Sequence, residues 1–145
     1  MTHTIHRLQI LVAWVSVLSQ KSRLCHWNVE WAGFLELHEF FGAYYDFLSN
    51  EVDNFAERIR ALDNYPKATF QEFLSISPIE EQGGMTSKEM IQTLLHDTEI
   101  ITTLVREWIQ DESDLITQDM FISFIYDLEK KAWMMKSLKK VWVIG

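Results

Sequence analysis

Apolar residues recur at intervals of three and four along four stretches of the chain, the period of a helix with one buried face. Ile5, Leu8, Leu11, Val12, Val15, Leu18 and Ser22 predict a first helix from Ile5 to Trp27. A second, from Phe34 to Leu62, carries Leu37, Phe41, Tyr44, Leu48, Val52, Phe55 and Ile59. Asp63-Asn64-Tyr65-Pro66 stops it, because the residue before a proline is pushed away from helical dihedrals. A third opens at Thr86, where Glu89 three residues on completes a capping box, and continues through Met90, Leu94, Ile101, Leu104, Val105 and Trp108. A fourth begins near Thr117 and holds Met120, Phe121, Phe124, Ile125, Leu128, Ala132, Met135 and Leu138. Lys136, Lys139 and Lys140 in its last turn complement the negative end of the helix dipole.

The connections between these helices are unequal. About six residues, Asn28 to Gly33, join the first pair, and a similar stretch from Asp111 to Ile116 joins the second. Each pair should therefore be an antiparallel hairpin. Between the pairs lie 23 residues, Asp63 to Met85, with a short helix expected at Thr69 to Leu74. That length can run beside a helix of about 30 Å. Two hairpins joined by one long crossover is the ferritin-like form of the all-α four-helix bundle, here expected as one domain over residues 1–145.

Composition narrows the function more than the fold. With 48% apolar and 23% charged residues the chain is not a disordered one, and 5 Gly and 2 Pro do not suit a many-turned β protein. Thirteen Lys and Arg against 21 Asp and Glu leave a net charge of −8, opposite in sign to a free-standing nucleic-acid binder. Cys25 stands alone, no run of about 18 apolar residues occurs, and the N-terminus has no signal-peptide pattern. The expectation is a cytoplasmic protein without membrane contact. Six Trp, nine Phe and four Tyr exceed what a four-helix interior needs. Trp31, Phe40, Tyr45 and Phe47 fall off the main stripe and are expected at a subunit interface, where aromatics are enriched.

The densest polar constellation is His26, His38, Asp53 and Glu57. Asp53 and Glu57 are four apart and project from one helical face. His38 precedes Asp53 by fifteen residues, about 22 Å along a helix axis, so one chain cannot close a site from all four. A two-fold dimer with antiparallel second helices would set His26 and His38 of one chain against Asp53 and Glu57 of the other. Such nitrogen and oxygen donors suit Fe(II), Zn(II) or Mn(II). Spacing alone favours a plainer reading, a solvated face with Glu57 near Arg60 or Arg58 near Asp53.

Cys25-His26-Trp27-Asn28-Val29, Leu37-His38-Glu39-Phe40-Phe41 and Asp53-Asn54-Phe55-Ala56-Glu57-Arg58-Ile59 together resemble the signature of the Dps mini-ferritins. The likeness continues through Pro66, Thr69, Glu72 and Phe73 to Thr117, Asp119, Met120, Leu128, Glu129, Lys130, Trp133 and Met134, so it covers essentially the whole chain. The resemblance implies a hollow dodecamer that oxidises Fe(II), typically with hydrogen peroxide, at sites shared across two-fold dimers, and stores Fe(III) mineral inside. It implies His26 and His38 as iron ligands from one subunit, Asp53 and Glu57 from its partner, and Trp27 flanking the site. It also places Asp119 at an iron-entry pore, which Asp114 and Asp111 could join; zinc would suit the same ligands as iron. No Glu is followed three residues later by His, so the intrasubunit centre of classical ferritins is not written here.

Two departures stand out. The family's further ligand, an Asp four residues after the second His, is replaced by Gly42, which supplies no oxygen and costs about 1 kcal/mol within a helix. Asp46 lies a turn further on, about 6 Å along the axis, too far to substitute without movement. A weaker site is therefore expected. The alternative function is a dodecameric shell or interaction protein whose ferroxidase chemistry is impaired at Gly42. Secondly, no basic tail accompanies the net −8, so DNA coating is disfavoured.

Overall fold

In the computed structural model, which describes residues 1–30 and 33–139, five helices follow in order. They are α1 (Thr2–Asn28), α2 (Phe34–Ala61), α3 (Phe70–Ile76), α4 (Ser87–Asp111) and α5 (Leu115–Lys139), with no strand among the described residues. α1 and α2 run antiparallel. Ser19 bonds the Tyr45 carbonyl and Ser49, Ser22 bonds the Phe41 carbonyl, and His26 meets His38, so rising numbers on one helix meet falling numbers on the other. The α4–α5 hairpin is antiparallel by the same logic, with Gln118 on the Ile109 carbonyl and Arg106 on Glu129.

The expected stripes are the buried ones. Leu37, Phe41, Tyr44, Leu48, Phe55 and Ile59 of α2 face Leu8, Leu11, Val15 and Leu18 of α1, Met90, Leu94, Ile101 and Val105 of α4, and Phe121, Phe124, Leu128 and Met135 of α5. Phe55 meets Phe124 edge-on at 5.0 Å between ring centroids. Two aromatics expected at an interface are partly buried and pack against this core within the chain. Phe47 stacks on Tyr44 and Phe124, and Phe40 packs beside Phe41 with the Lys131 ammonium over its ring. Tyr45 stands at the edge of the α1–α2 seam, and Trp31 lies outside the described residues. Among the described residues the exposed large aromatics are Trp27, Phe34, Tyr65, Phe70, Tyr126 and Trp133.

The crossover is strapped along α1. Thr69 caps α3 in a full capping box with Glu72, Gln9 exchanges two hydrogen bonds with the backbone of Lys67, and the Trp14 indole donates to the Ile76 carbonyl at 3.1 Å. Halfway along the bundle, Lys21 of α1 and Asp97 of α4 form a 2.8 Å ion pair with side chains 3% and 6% exposed. Burial pushes the Asp97 carboxyl above its ordinary range, against the pull of Lys21. Cys25, one turn on, is pushed up to about 12 by burial and stays a thiol, a small core residue rather than a reactive one.

The turn between α4 and α5 is only Glu112 to Asp114, shorter than the expected 111–116 stretch, because side chains hold both helix ends. Buried Glu112 accepts from Thr4 at 2.5 Å and Arg7 at 3.0 Å; burial alone would raise its carboxyl, but these bonds and the Asp114 amide hold it below the usual range. Asp114 accepts from the Thr117 hydroxyl and amide, capping α5, and from Arg58 at 2.8 Å, which also lowers its carboxyl. A carboxyl held below its ordinary value stabilises the fold above that value and stops doing so as the pH falls through the lowered one. Asp114→Ala should therefore lower the melting temperature by a few degrees at pH 7, for a cap worth about 1 kcal/mol. The gap from the unaltered protein should narrow as the pH falls below the ordinary aspartate value of 3.8 and through the lowered one; a gap that stays constant as the protein is acidified would contradict the assignment.

Candidate metal centre

His26 sits in the last turn of α1 and His38 in the second turn of α2, and the short hairpin brings them face to face. Their rings stack with centroids 3.8 Å apart and planes inclined by 14°. Each Nδ1 lies 2.6 Å from the other residue's backbone carbonyl oxygen. A carbonyl can only accept, so each Nδ1 carries the proton and donates, and in the neutral ring Nε2 keeps its lone pair for a metal. The His26 carbonyl lies among the last four of α1, which have no partner within the helix, so His38 also caps α1. Phe34 stacks on the outer face of His38 at 5.2 Å, and Tyr45 meets His26 edge-on at 5.5 Å with Arg23 over its own ring at 4.8 Å. The sequence does not assign Phe34 or Tyr45 to the surroundings of the histidines, although Phe34 lies four residues before His38, the spacing of helical neighbours.

Stacked rings hold their in-plane lone pairs in separate planes. One ion cannot lie in both planes, so each ring as placed is suited to its own ion.

Asp53 and Glu57 are exposed on the solvent side of α2, a turn apart. The plainer pairings do not occur: Arg58 reaches Asp114 and Thr117, and Arg60 reaches the Asn64 carbonyl and the Tyr65 ring. Among the described residues neither Asp53 nor Glu57 is in an ion pair. Asp53 lines a cleft of ≈ 420 Å³ walled by Leu24, Val52, Phe70, Phe73 and Leu74, where α1, α2 and α3 meet. Within one chain the four candidate ligands do not come together; among the described residues no group of three or more His, Cys, Asp and Glu could hold an ion. Trp27 is 62% exposed beside His26. Of the expected pore carboxylates, Asp111 is bonded to Arg7 at 2.6 Å and Asp114 is engaged in capping, while Asp119 is exposed on the first turns of α5. Asp111 and Asp114 thus each have an arginine partner within the chain.

Residues 5–141 match the ferritin-like domain family, which sets the class of this protein. DNA protection during starvation protein 2 of Bacillus anthracis is 35% identical over 126 residues, covering 84% of this chain and 86% of that protein. The crystal structure of Dps from Staphylococcus aureus is similar with a TM-score of 0.92 and 30% identity, over 96% of each chain. Dps from Vibrio cholerae O1, described as a member of a broad superfamily of ferritin-like diiron-carboxylate proteins, matches with a TM-score of 0.89 at 26% identity over 94% of this chain and 89% of that one. The chain belongs to the Dps mini-ferritins.

Proposed function

We propose that this protein stores and detoxifies iron, oxidising Fe(II) with hydrogen peroxide at inter-subunit sites of a hollow homododecamer and keeping the Fe(III) mineral inside. The observation that carries this reading is the half-site on each chain. Two imidazoles have their Nδ1 protons committed to backbone carbonyls, and on another part of α2 two carboxylates a turn apart have no ion-pair partner among the described residues. A partner related by a two-fold axis would bring Asp53 and Glu57 against His26 and His38, with Trp27 alongside. Two rings suited to one ion each supply the pair of Fe(II) ions that the chemistry needs. Peroxide takes one electron from each; its O–O bond breaks and, with two protons, two waters form, so no hydroxyl radical is released.

The Vibrio relative's diiron-carboxylate kinship supports iron as the substrate. Zinc would suit the same nitrogen and oxygen donors and would then compete with iron. Asp119 is the pore carboxylate in this reading, and the charge of −8 per subunit draws Fe(II) inward. That same charge repels phosphate, so direct DNA coating is left out, whatever the Bacillus anthracis relative's name says of that protein. No helix among the described residues is long and apolar enough to cross a membrane.

The test is iron retained per assembly after anaerobic Fe(II) loading and peroxide addition, on material sized by light scattering. The expected result is a dodecamer holding hundreds of irons, with peroxide consumed. A dodecamer that retains little iron and oxidises it no faster than buffer would instead establish the impaired shell.

A further inference from the structure

Phe34, His38 and Gly42 follow one another at four-residue intervals on one face of α2, and the first two form a stack of rings. At the third position there is no side chain, and the ring that continues the stack comes from α1. A Cβ built on Gly42 would lie 2.8 Å from both Cε1 and Nδ1 of His26. Real Cβ atoms do not approach other heavy atoms so closely, so His26 occupies the space a side chain at position 42 would fill. Backbone conformation does not explain this glycine, because the positive-φ glycines among the described residues are Gly33 and Gly84.

We infer that Gly42 is the positioning residue of the metal site: its missing side chain is the seat that lets His26 lie against α2, stack on His38 and bond the His38 carbonyl. The inference rests on the iron reading above for its purpose but not for its geometry. It reverses the expectation that a carboxylate at position 42 would complete the site. Asp at that position carries the same Cβ as Ala, and either would lift the His26 ring off the helix, part the stack and break the 2.6 Å bond that fixes its tautomer.

Two measurements decide it. The first uses metal-free protein and thermal melts of a double-mutant cycle. Gly42→Ala should lower the melting temperature of the unaltered protein yet raise it in a His26→Ala background, where only the gain in helix propensity remains. If Gly42→Ala raises the melting temperature in both backgrounds, the seat is empty and the inference is wrong. The second is titration with cobalt(II), read by its visible ligand-field band. Gly42→Ala and Gly42→Asp should each bind about ten-fold more weakly than the unaltered protein, the cost typical of a disturbed supporting group. Tighter binding by Gly42→Asp with Gly42→Ala unchanged would mark position 42 as a ligand vacancy and overturn the inference. If the unaltered protein takes up no cobalt, the iron reading fails, and the melting cycle alone rules on the seat.

Discussion

Shells co-assembled from equal amounts of two inactive subunits should recover about one quarter of the native iron-oxidation rate. One subunit carries His26→Ala with His38→Ala, the other Asp53→Ala with Glu57→Ala. Each alone should oxidise iron at least about 100-fold more slowly than the native protein, since even supporting groups around a metal cost 10–100-fold. In a random mixture half the two-fold dimers contain one subunit of each kind. In such a dimer the intact rings of one subunit face the intact carboxylates of the other at one site, and both halves are missing at the second. Half the dimers with half their sites working gives the quarter. The measurement is peroxide-dependent Fe(II) oxidation on co-expressed shells whose size matches the native one. Full-sized mixed shells without recovery would mean that the four residues do not share a site across the dimer.

The largest stability effect should come from the bundle interior. Lys21→Met removes the partner of a carboxylate that is almost fully buried and leaves it charged in a poor solvent. Breaking a buried pair on one side costs about 3–5 kcal/mol, a large share of the roughly 5–15 kcal/mol that holds a domain together. For a chain of this size, that is a fall in melting temperature on the order of 10 °C. Lys21→Met with Asp97→Leu should recover most of it, because the charge that needed a partner is then absent as well. The pH dependence carries its own sign. Asp97 has its carboxyl raised above its ordinary value near 3.8, so the folded state binds that proton more tightly than the unfolded one. Stability from this group is greatest at low pH and is lost as the pH rises through the raised value. The single variant, with no Lys21 to oppose the rise, should melt higher as the pH is lowered from 7 toward 4. A single variant that melts like the native protein at every pH would show the pair to be dispensable.

What could be read from the sequence was what local rules govern. The apolar stripe of α2 and the capping box of Thr86 with Glu89 follow from spacing within a turn or two, and both are present. The second capping box, Thr69 with Glu72, obeys the same rule and sets the start of α3, which runs to Ile76 rather than Leu74. α1 begins at Thr2 rather than Ile5 because Thr4 and Arg7 are anchored by Glu112, more than a hundred residues away. No periodicity in α1 reveals Arg7 or Lys21 as interior residues; their acceptors lie in the other hairpin. The site divides similarly. Pairing of His26 with His38 was legible from the hairpin, since both flank a short loop. The exchange of carbonyl bonds and the occupied space at Gly42 were not, because a glycine in a sequence looks like a missing group whether or not another side chain fills it.

The two histidines differ from the buried ion pairs in how little chain they enclose. Their clasp closes a loop of twelve residues, whereas Lys21 and Asp97 are 76 apart and Arg7 and Glu112 are 105 apart. Closure entropy rises with loop length, and short loops close soonest. The nitrogen donors can therefore be set within a lone α1–α2 hairpin, before the crossover is strapped down and before any second subunit arrives. In the function proposed above, the carboxylates would reach them last, through assembly. A newly made subunit would then carry an ordered pair of imidazoles and no complete iron site, and oxidation would begin only once two chains had met.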